Sequence, residues 1–299
     1  MTFSPIGATT PRFVGIDIGG TKVRAIAADA ECRRLADATE PTAQDVLAQV
    51  RRLVVELGEG AAAAVGIGVP GTVDPLSGVV SKVPNVAALD GLPLARQLTQ
   101  ELGVPVAVEN DLIAAALAEL QVGRHGDSMV AVIAAGTGIG LGLVYRGELV
   151  RGARGAAGEI ADIPLDGGGV LEDRLSIRGL VSGYRRAGGT LDHGVPEILA
   201  AAERGDPAAV GALDEYARML AFAVRSVVAV IDPSRVVLTG GLGSSDLVIG
   251  GLRLHLDDST SRRVIASELG ADSPAHGAML LALRAASSPV PVTASSTIT

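Results

Sequence analysis

Asp17-Ile18-Gly19-Gly20-Thr21-Lys22 and, later in the chain, Gly136-Thr137-Gly138-Ile139-Gly140 are the two stretches that decide how this sequence folds. Each follows a short apolar run (residues 13–16 and 130–135) and leads into a second one (residues 23–28 and 141–145). The pattern is strand, glycine turn, strand, written twice. Glycine permits positive φ and brings bare backbone N–H groups close to a ligand. Two such turns facing one another make a clamp for a polyphosphate.

Outward from the turns, strands and helices alternate. Residues 46–57 carry Val46, Val50, Leu53, Val54 and Leu57 at helical spacing, with Gly58 as a stop. Residues 63–69 and 104–109 read as strands, 93–102 as a helix ended by Gly103, and 112–122 as an Ala/Leu helix with Asp111 at its start. Residues 152–169 are glycine-rich and irregular. The longest helix covers 207–231, with Val210, Leu213, Leu220, Val224, Val227, Val228 and Ile231 on one side. A strand over 236–239 meets Gly240-Gly241, and 277–286 form a last helix of small residues. The expected class is α/β, with two sheets each begun by a β-hairpin. The expected domains are 12–112 and 113–286, the last helix being free to pack back on the first, with flexible ends at 1–11 and 287–299.

Hydrophobic residues make up 48% of the 299, and charged residues 19%, so a sizeable core is within reach. With three Phe, three Tyr and no Trp, that core is built from Ala, Val, Leu and Ile, and aromatic stacking on a ligand is disfavoured. The net charge of −8 and the lack of a Lys/Arg stripe argue against nucleic acid as a partner. Cys32, the single cysteine, excludes an internal disulfide and fits a reducing compartment. The N-terminus has no basic-then-apolar leader pattern, and no apolar run reaches membrane-spanning length. A cytoplasmic protein without membrane or nucleic-acid partners is expected.

Gly66-Ile67-Gly68-Val69-Pro70-Gly71 matches a dinucleotide-binding text, yet Pro70, Asp74 and Pro75 continue it as a turn where that fingerprint needs a helix. No Walker A motif occurs. Taken in series, the motifs resemble the ROK sugar kinases and regulators, within the actin-like ATPase superfamily, over roughly residues 13–286. The series runs through Asp17–Lys22, Gly66–Gly71, Val108-Glu109-Asn110-Asp111, Gly136–Gly140, Gly155-Ala156-Ala157-Gly158-Glu159 and Val237-Leu238-Thr239-Gly240-Gly241. The resemblance implies a two-domain actin-like ATPase (ribonuclease H-like) fold with an interdomain cleft, and ATP-dependent phosphorylation of a hexose or hexose derivative.

In that family the Asp of Asn-Asp accepts the proton of the attacking sugar hydroxyl, which makes Asp111 the catalytic candidate. As an isolated residue, Asp at a strand-to-helix junction is also a helix N-cap. The resemblance gives Asp17 a water-mediated role at Mg²⁺, Gly19, Gly20, Thr21, Lys22, Gly136, Thr137 and Gly138 to the phosphates, and Gly240 and Gly241 to adenosine. It gives Asn110, Asp111, Glu159 and Glu172 to the sugar, with Asn85 and Asp162 beside them. Three departures stand out. Asp162 sits where many members carry a His, so an acceptor replaces a donor. Gly167-Gly168-Gly169-Val170-Leu171-Glu172 replaces the Cys-rich segment of zinc-bearing members, and with four His and one Cys in the chain zinc is expected to be absent. Leu112-Ile113 follows Asp111 where Ala-Asn is usual.

The alternative function is a catalytically inactive sugar sensor or regulator of the same fold. Its DNA-binding form is not expected, because sixteen residues precede Asp17, too few for a helix-turn-helix domain. A nicotinamide enzyme resting on residues 66–71 is remote. The resemblance also implies a homo-oligomer, dimer or tetramer.

Overall fold

The computed structural model describes residues 10–83, 85–123, 128–190 and 194–287. Expected flexible ends at 1–9 and 288–299 lie outside the described residues. The chain divides into two compact units, residues 1–111 with 275–299, and residues 112–274.

In unit 1, β1 (Arg12–Ile18) and β2 (Lys22–Ala28) form an antiparallel hairpin around the first glycine turn. The edge strand β3 (Arg34–Pro41), helix α1 (Val46–Leu57) and strand β4 (Ala62–Val69) follow. A small ribbon, β5 (Thr72–Val73) with β6 (Val80–Ser81), precedes α2 (Leu94–Leu102) and β7 (Val106–Asn110). The sheet order is β3-β2-β1-β4-β7, with β1, β4 and β7 parallel. Asp45 caps α1 by accepting from the Ala48 N–H at 2.9 Å, and Gly103 ends α2 in the left-handed region. The core is aliphatic, Val14, Ile16, Ile67 and Val69 packing with Val50, Leu53, Leu94 and Leu98.

Unit 2 opens with α3 (Asp111–Gly123), whose first residue belongs to unit 1. The hairpin β8 (Met129–Ala135) and β9 (Ile139–Tyr145) encloses the second glycine turn, and β10 (Glu148–Leu149) extends it. Helices α4 (Ile177–Arg186), α5 (Val195–Glu203) and α6 (Pro207–Ile231) lead to β11 (Arg235–Thr239). Then come α7 (Gly240–Gly243), α8 (Asp246–Leu254), α9 (Asp258–Ser261), β12 (Val264–Ala266) and α10 (Ser273–Ser287). The sheet order β10-β9-β8-β11-β12 repeats the strand order of unit 1. The doubled glycine turn is thus the sequence trace of a doubled sheet.

Three features differ from the sequence reading. Residues 152–169 contain a 3-10 turn over Ile160–Asp162 and a bridged hairpin, Pro164 to Val170. Val210 is 47% exposed, because α6 buries a stripe of Ala209, Ala212, Leu213, Tyr216, Ala217 and Leu220, at whose edge Val210 falls. Residues 34–41, unmarked in the sequence reading, form the strand β3. The last helix, α10, left free by that reading to pack back on the first domain, is counted with unit 1 from Ala275 onward.

The reason α10 does so is steric. Gly15 of β1 and Gly66 of β4 are register neighbours. A methyl group on Gly15 would stand 2.2 Å from Met279 N, and one on Gly66 would stand 1.8 Å from Ala278 O. The helix, with Ala275, Ala278 and Ala282 fully buried, therefore lies directly on sheet backbone. Unit 2 uses the same device. Gly140 and Gly142 of β9 leave room for Leu112 and Ala116 of α3, Leu112 O being 2.2 Å from where a Gly142 methyl would sit.

Gly66→Ala is expected to lose about 3 kcal/mol or more, since the obstacle is backbone that cannot swing aside. Gly250→Ala, in open space on α8, is expected to gain roughly 1 kcal/mol from helix propensity. Urea midpoints of the two variants should therefore move in opposite directions.

Candidate active site

Parallel strands bring their carboxyl ends to one edge, and in unit 1 that edge carries Asp17, Asn110 and Asp111. The register aligns Asp17 with Gly68, and Gly68 with Glu109. A methyl group on Gly68 would lie 3.4 Å from Asp111 Cα and 3.6 Å from Asp17 Oδ1, so both acidic residues flank the same bare glycine. Asn110 Nδ2 donates to Gly71 O at 2.9 Å, and its backbone N–H donates to Glu109 Oε1 at 3.1 Å. These bonds lock the strand end just before Asp111. Asp111 is the first residue of α3, so its carboxylate stands at the positive end of the helix dipole. Burial pushes the Asp17 carboxyl up to about 6, with the Lys22 charge pulling the other way. Asn85 is exposed, and its Cβ stacks over Gly20. The 66–71 segment accordingly serves as strand packing and a turn, with Gly71 N–H donating to Val69 O at 2.9 Å.

The first glycine turn is closed by Gly19 N–H donating to Lys22 O at 2.9 Å. Among the described residues nothing accepts from the N–H groups of Gly20 or Thr21. The second turn is built alike. Gly136 N–H donates to Gly138 O at 2.9 Å, Ile177 N–H at the start of α4 donates to Gly136 O at 2.8 Å, and the N–H groups of Thr137 and Gly138 have no acceptor among the described residues. Unpaired N–H groups on a glycine turn form an anion nest, so both turns fit phosphate oxygens. Gly136 also approaches the Gly240-Gly241 segment, a methyl on it falling 3.6 Å from Gly241 N.

In unit 2, Glu159 and Asp162 bracket the 3-10 turn, Glu159 half-buried and Asp162 exposed. Next comes the hairpin, where Leu165 N–H donates to Gly169 O at 3.1 Å and Leu171 N–H donates to Ile163 O at 2.9 Å. Gly167, Gly168 and Gly169 all take positive φ, which lets the loop turn tightly. Asp173 closes it by accepting from the Val170 N–H at 2.9 Å. Glu172 then lands on the second glycine turn, its Oε2 being 2.4 Å from where a Gly138 methyl would sit. A side chain at 138 would make that carboxylate swing aside. Among the described residues no group of three or more His, Cys, Asp or Glu is placed to hold a metal ion, and the donor set here does not fit zinc. Asp17 does fit a hydrated Mg²⁺, because a poorly solvated carboxylate gains from a neighbouring cation.

Sequence reasoning missed a buried polar network behind Gly240. Glu119, 3% exposed on α3, accepts from Ser267 Oγ at 2.5 Å and also from Ser273 Oγ. Ser267 Oγ in turn accepts from Gly270 N–H at 2.7 Å, and Gly270 O accepts from Thr239 Oγ1 at 3.0 Å. The signal was present as one carboxylate inside an otherwise Ala/Leu helix. A buried acid needs such donors, each charge-assisted bond contributing about 2 kcal/mol.

Comparison with known proteins follows from this geometry. The profile of the ROK family matches residues 13–285. An N-acetyl-D-glucosamine kinase of Vibrio cholerae serotype O1 is 31% identical over 263 residues, covering 79% of this chain and 86% of that protein. A glucokinase of Streptomyces coelicolor is 33% identical over 272 residues, covering 80% and 85% respectively. Among solved structures, a ROK family glucokinase from Streptomyces griseus in complex with glucose and AMPPNP superposes with a TM-score of 0.78 at 30% identity, covering 91% of this chain and 99% of that one.

The Asp17 environment gives a signed pH prediction. Its folded pKa of about 6 stands above the ordinary 3.8, so the folded state holds the Asp17 proton more tightly than the unfolded chain does. Asp17 therefore costs nothing below the ordinary value and, once ionised above about pH 6, destabilises by up to about 3 kcal/mol. Asp17→Asn should melt higher than wild type at about pH 8, and the gain should vanish as pH falls through 6 to below the ordinary value. Thermal melts across that range check it.

Proposed function

The chain belongs to the ROK family, and we propose that it moves the γ-phosphoryl group of ATP to a hydroxyl of a hexose or hexose derivative, with Asp111 taking the hydroxyl proton. Its fold is the α/β fold of the ROK and actin-like sugar-kinase superfamily. The protein is an ATP-dependent sugar kinase. The finer reading concerns which atoms do the work. One observation supports it above the others: Asp17 and Asp111 flank Gly68 at the carboxyl ends of parallel strands, in a chain that also offers two nests of unpaired N–H groups.

In this reading the N–H groups of Gly20, Thr21, Thr137 and Gly138 take phosphate oxygens, with Gly19 and Gly136 shaping the turns. The hydroxyls of Thr21 and Thr137 and the Lys22 ammonium add donors. Gly240 and Gly241 receive the adenosine. A Mg²⁺ ion held through water by Asp17 would neutralise phosphate charge. Asn110, Glu159 and Glu172, with Asn85 and Asp162, orient the sugar. The attacking oxygen bonds to the γ-phosphorus as the bond to the β–γ bridging oxygen breaks, ADP leaves, and the proton ends on Asp111. Because the transition state is loose, Asp111 acts chiefly by orienting the hydroxyl and accepts the proton late. An exposed carboxylate at 162 accepts from a sugar hydroxyl and cannot donate to one, which sets the hydroxyl preference at that edge. ATP as donor and a lone cysteine fit a cytoplasmic enzyme.

Incubation with MgATP and a panel of hexoses and N-acetylhexosamines, read by ADP release, tests the assignment. At least one sugar should drive turnover, and Asp111→Asn should lower kcat by at least about 100-fold without lowering the melting temperature. If sugars shift the melting temperature yet none drives ADP release above that variant, the protein is a sugar sensor instead.

A further inference from the structure

We propose that Thr42 is a positioning residue for ATP, holding the first glycine turn so that its backbone N–H groups face the phosphates; this rests on the kinase reading above. Thr42 follows the edge strand β3, and in the antiparallel ladder Pro41 lies opposite Lys22. Two bonds run from Thr42 to the turn. Its backbone N–H donates to Thr21 O at 3.1 Å, and its hydroxyl donates to Gly19 O at 2.7 Å.

The consequence follows from the planar trans peptide, in which C=O and the next N–H point in opposite directions. Holding Gly19 O toward Thr42 turns the Gly20 N–H away from it. Holding Thr21 O toward Thr42 turns the Lys22 N–H away as well. Together with the Gly19-to-Lys22 closure, these bonds leave the Gly19 and Thr21 carbonyls on the Thr42 side and the Gly20 and Lys22 N–H groups turned from it. The Gly20 N–H, without an acceptor among the described residues, is what such a device prepares.

Thr42 is itself held. Gln49 of α1, 6% exposed, donates from Nε2 to Pro41 O at 3.0 Å and accepts at Oε1 from Ala43 N–H at 2.9 Å. The residues on either side of Thr42 are thereby tied to a helix, and the same Nε2 reaches Glu40 Oε2 at 3.0 Å. Any residue at 42 keeps the backbone donor. Only a hydroxyl there supplies the bond to Gly19 O, so the side chain has a separable role.

Thr42→Val and Thr42→Ser test it. Removing one neutral hydrogen bond should raise KM for MgATP roughly fivefold in Thr42→Val, with KM for the sugar unchanged, and Thr42→Ser should restore the wild-type value. Pyrophosphate supplies a readout independent of turnover: it should raise the melting temperature of wild type and Thr42→Ser more than that of Thr42→Val. Equal KM for MgATP and equal pyrophosphate shifts in all three proteins overturn the positioning role. So does a Thr42→Val defect that raises both KM values alike and that Ser does not rescue. If wild type responds to pyrophosphate but phosphorylates no sugar, the kinase reading fails while the melts still decide the role of Thr42. A wild type that responds to neither MgATP nor pyrophosphate overturns both.

Discussion

Direct seating of a helix on sheet backbone is the contact on which this molecule depends. α10 rests on Gly15 and Gly66, and α3 rests on Gly140 and Gly142, in both places closer than a single methyl group would permit. By chain order α3 follows the sheet of unit 1 and α10 follows the sheet of unit 2, yet each is counted with the other unit from its second or third residue onward. The glycine seats explain this exchange, because where no side chain stands beneath it the helix backbone packs directly on the sheet. They also fix the N-terminal end of α3. Leu112, the residue that follows Asp111, is pinned with its carbonyl against Gly142 and its side chain against Gly140. The unusual Leu at that position is thus part of the seat.

Around these seats the two sheets repeat one strand order, and each places a glycine turn between its first two long strands. The turns share a chemical condition, backbone donors held open without an acceptor among the described residues. Such groups are costly in a core and tolerable at an edge where an anion or water completes them. The same tension surrounds the acids. Asp17 is held where burial raises its proton affinity, whereas Glu119, more deeply buried, is supplied with two hydroxyl donors. One acid is left wanting a cation and the other is satisfied by its own fold, which separates a candidate functional carboxylate from a structural one.

The segment from Glu159 to Glu172 is held largely by its own backbone. A 3-10 turn, a hairpin with three left-handed glycines and a cap from Asp173 account for its backbone bonds locally. Glu172 thereby reaches the second glycine turn, and Asp162 is left at the surface.

Much of this was legible in the sequence, because it is local. Pro207 at the first helical position, Asp206 as a cap accepting from Ala209 N–H and an unbroken apolar period set the bounds of α6. The glycine turns and their flanking apolar runs set both hairpins, and Asn110-Asp111 stands at the strand-to-helix junction where the carboxyl-edge reading puts it. What the sequence left open depends on partners far along the chain. β3 is an edge strand whose residues alternate between exposed and half-buried, so its composition carries little apolar signal. Val210 faces outward because it falls at the edge of the stripe, from Ala209 and Ala212 through Leu213, Tyr216 and Leu220, that meets the neighbours of α6. Thr42 finds Gly19, Glu119 finds Ser267, and α10 finds Gly66, only once the sheets exist to bring them together. Sequence by itself determined the turns, the hairpins and the acids at strand ends, since backbone preference and apolar periodicity act over a few residues. Tertiary structure decided which helix seats on which sheet and which donors hold each turn open, since close packing and hydrogen bonding between distant segments obey shape and not sequence distance.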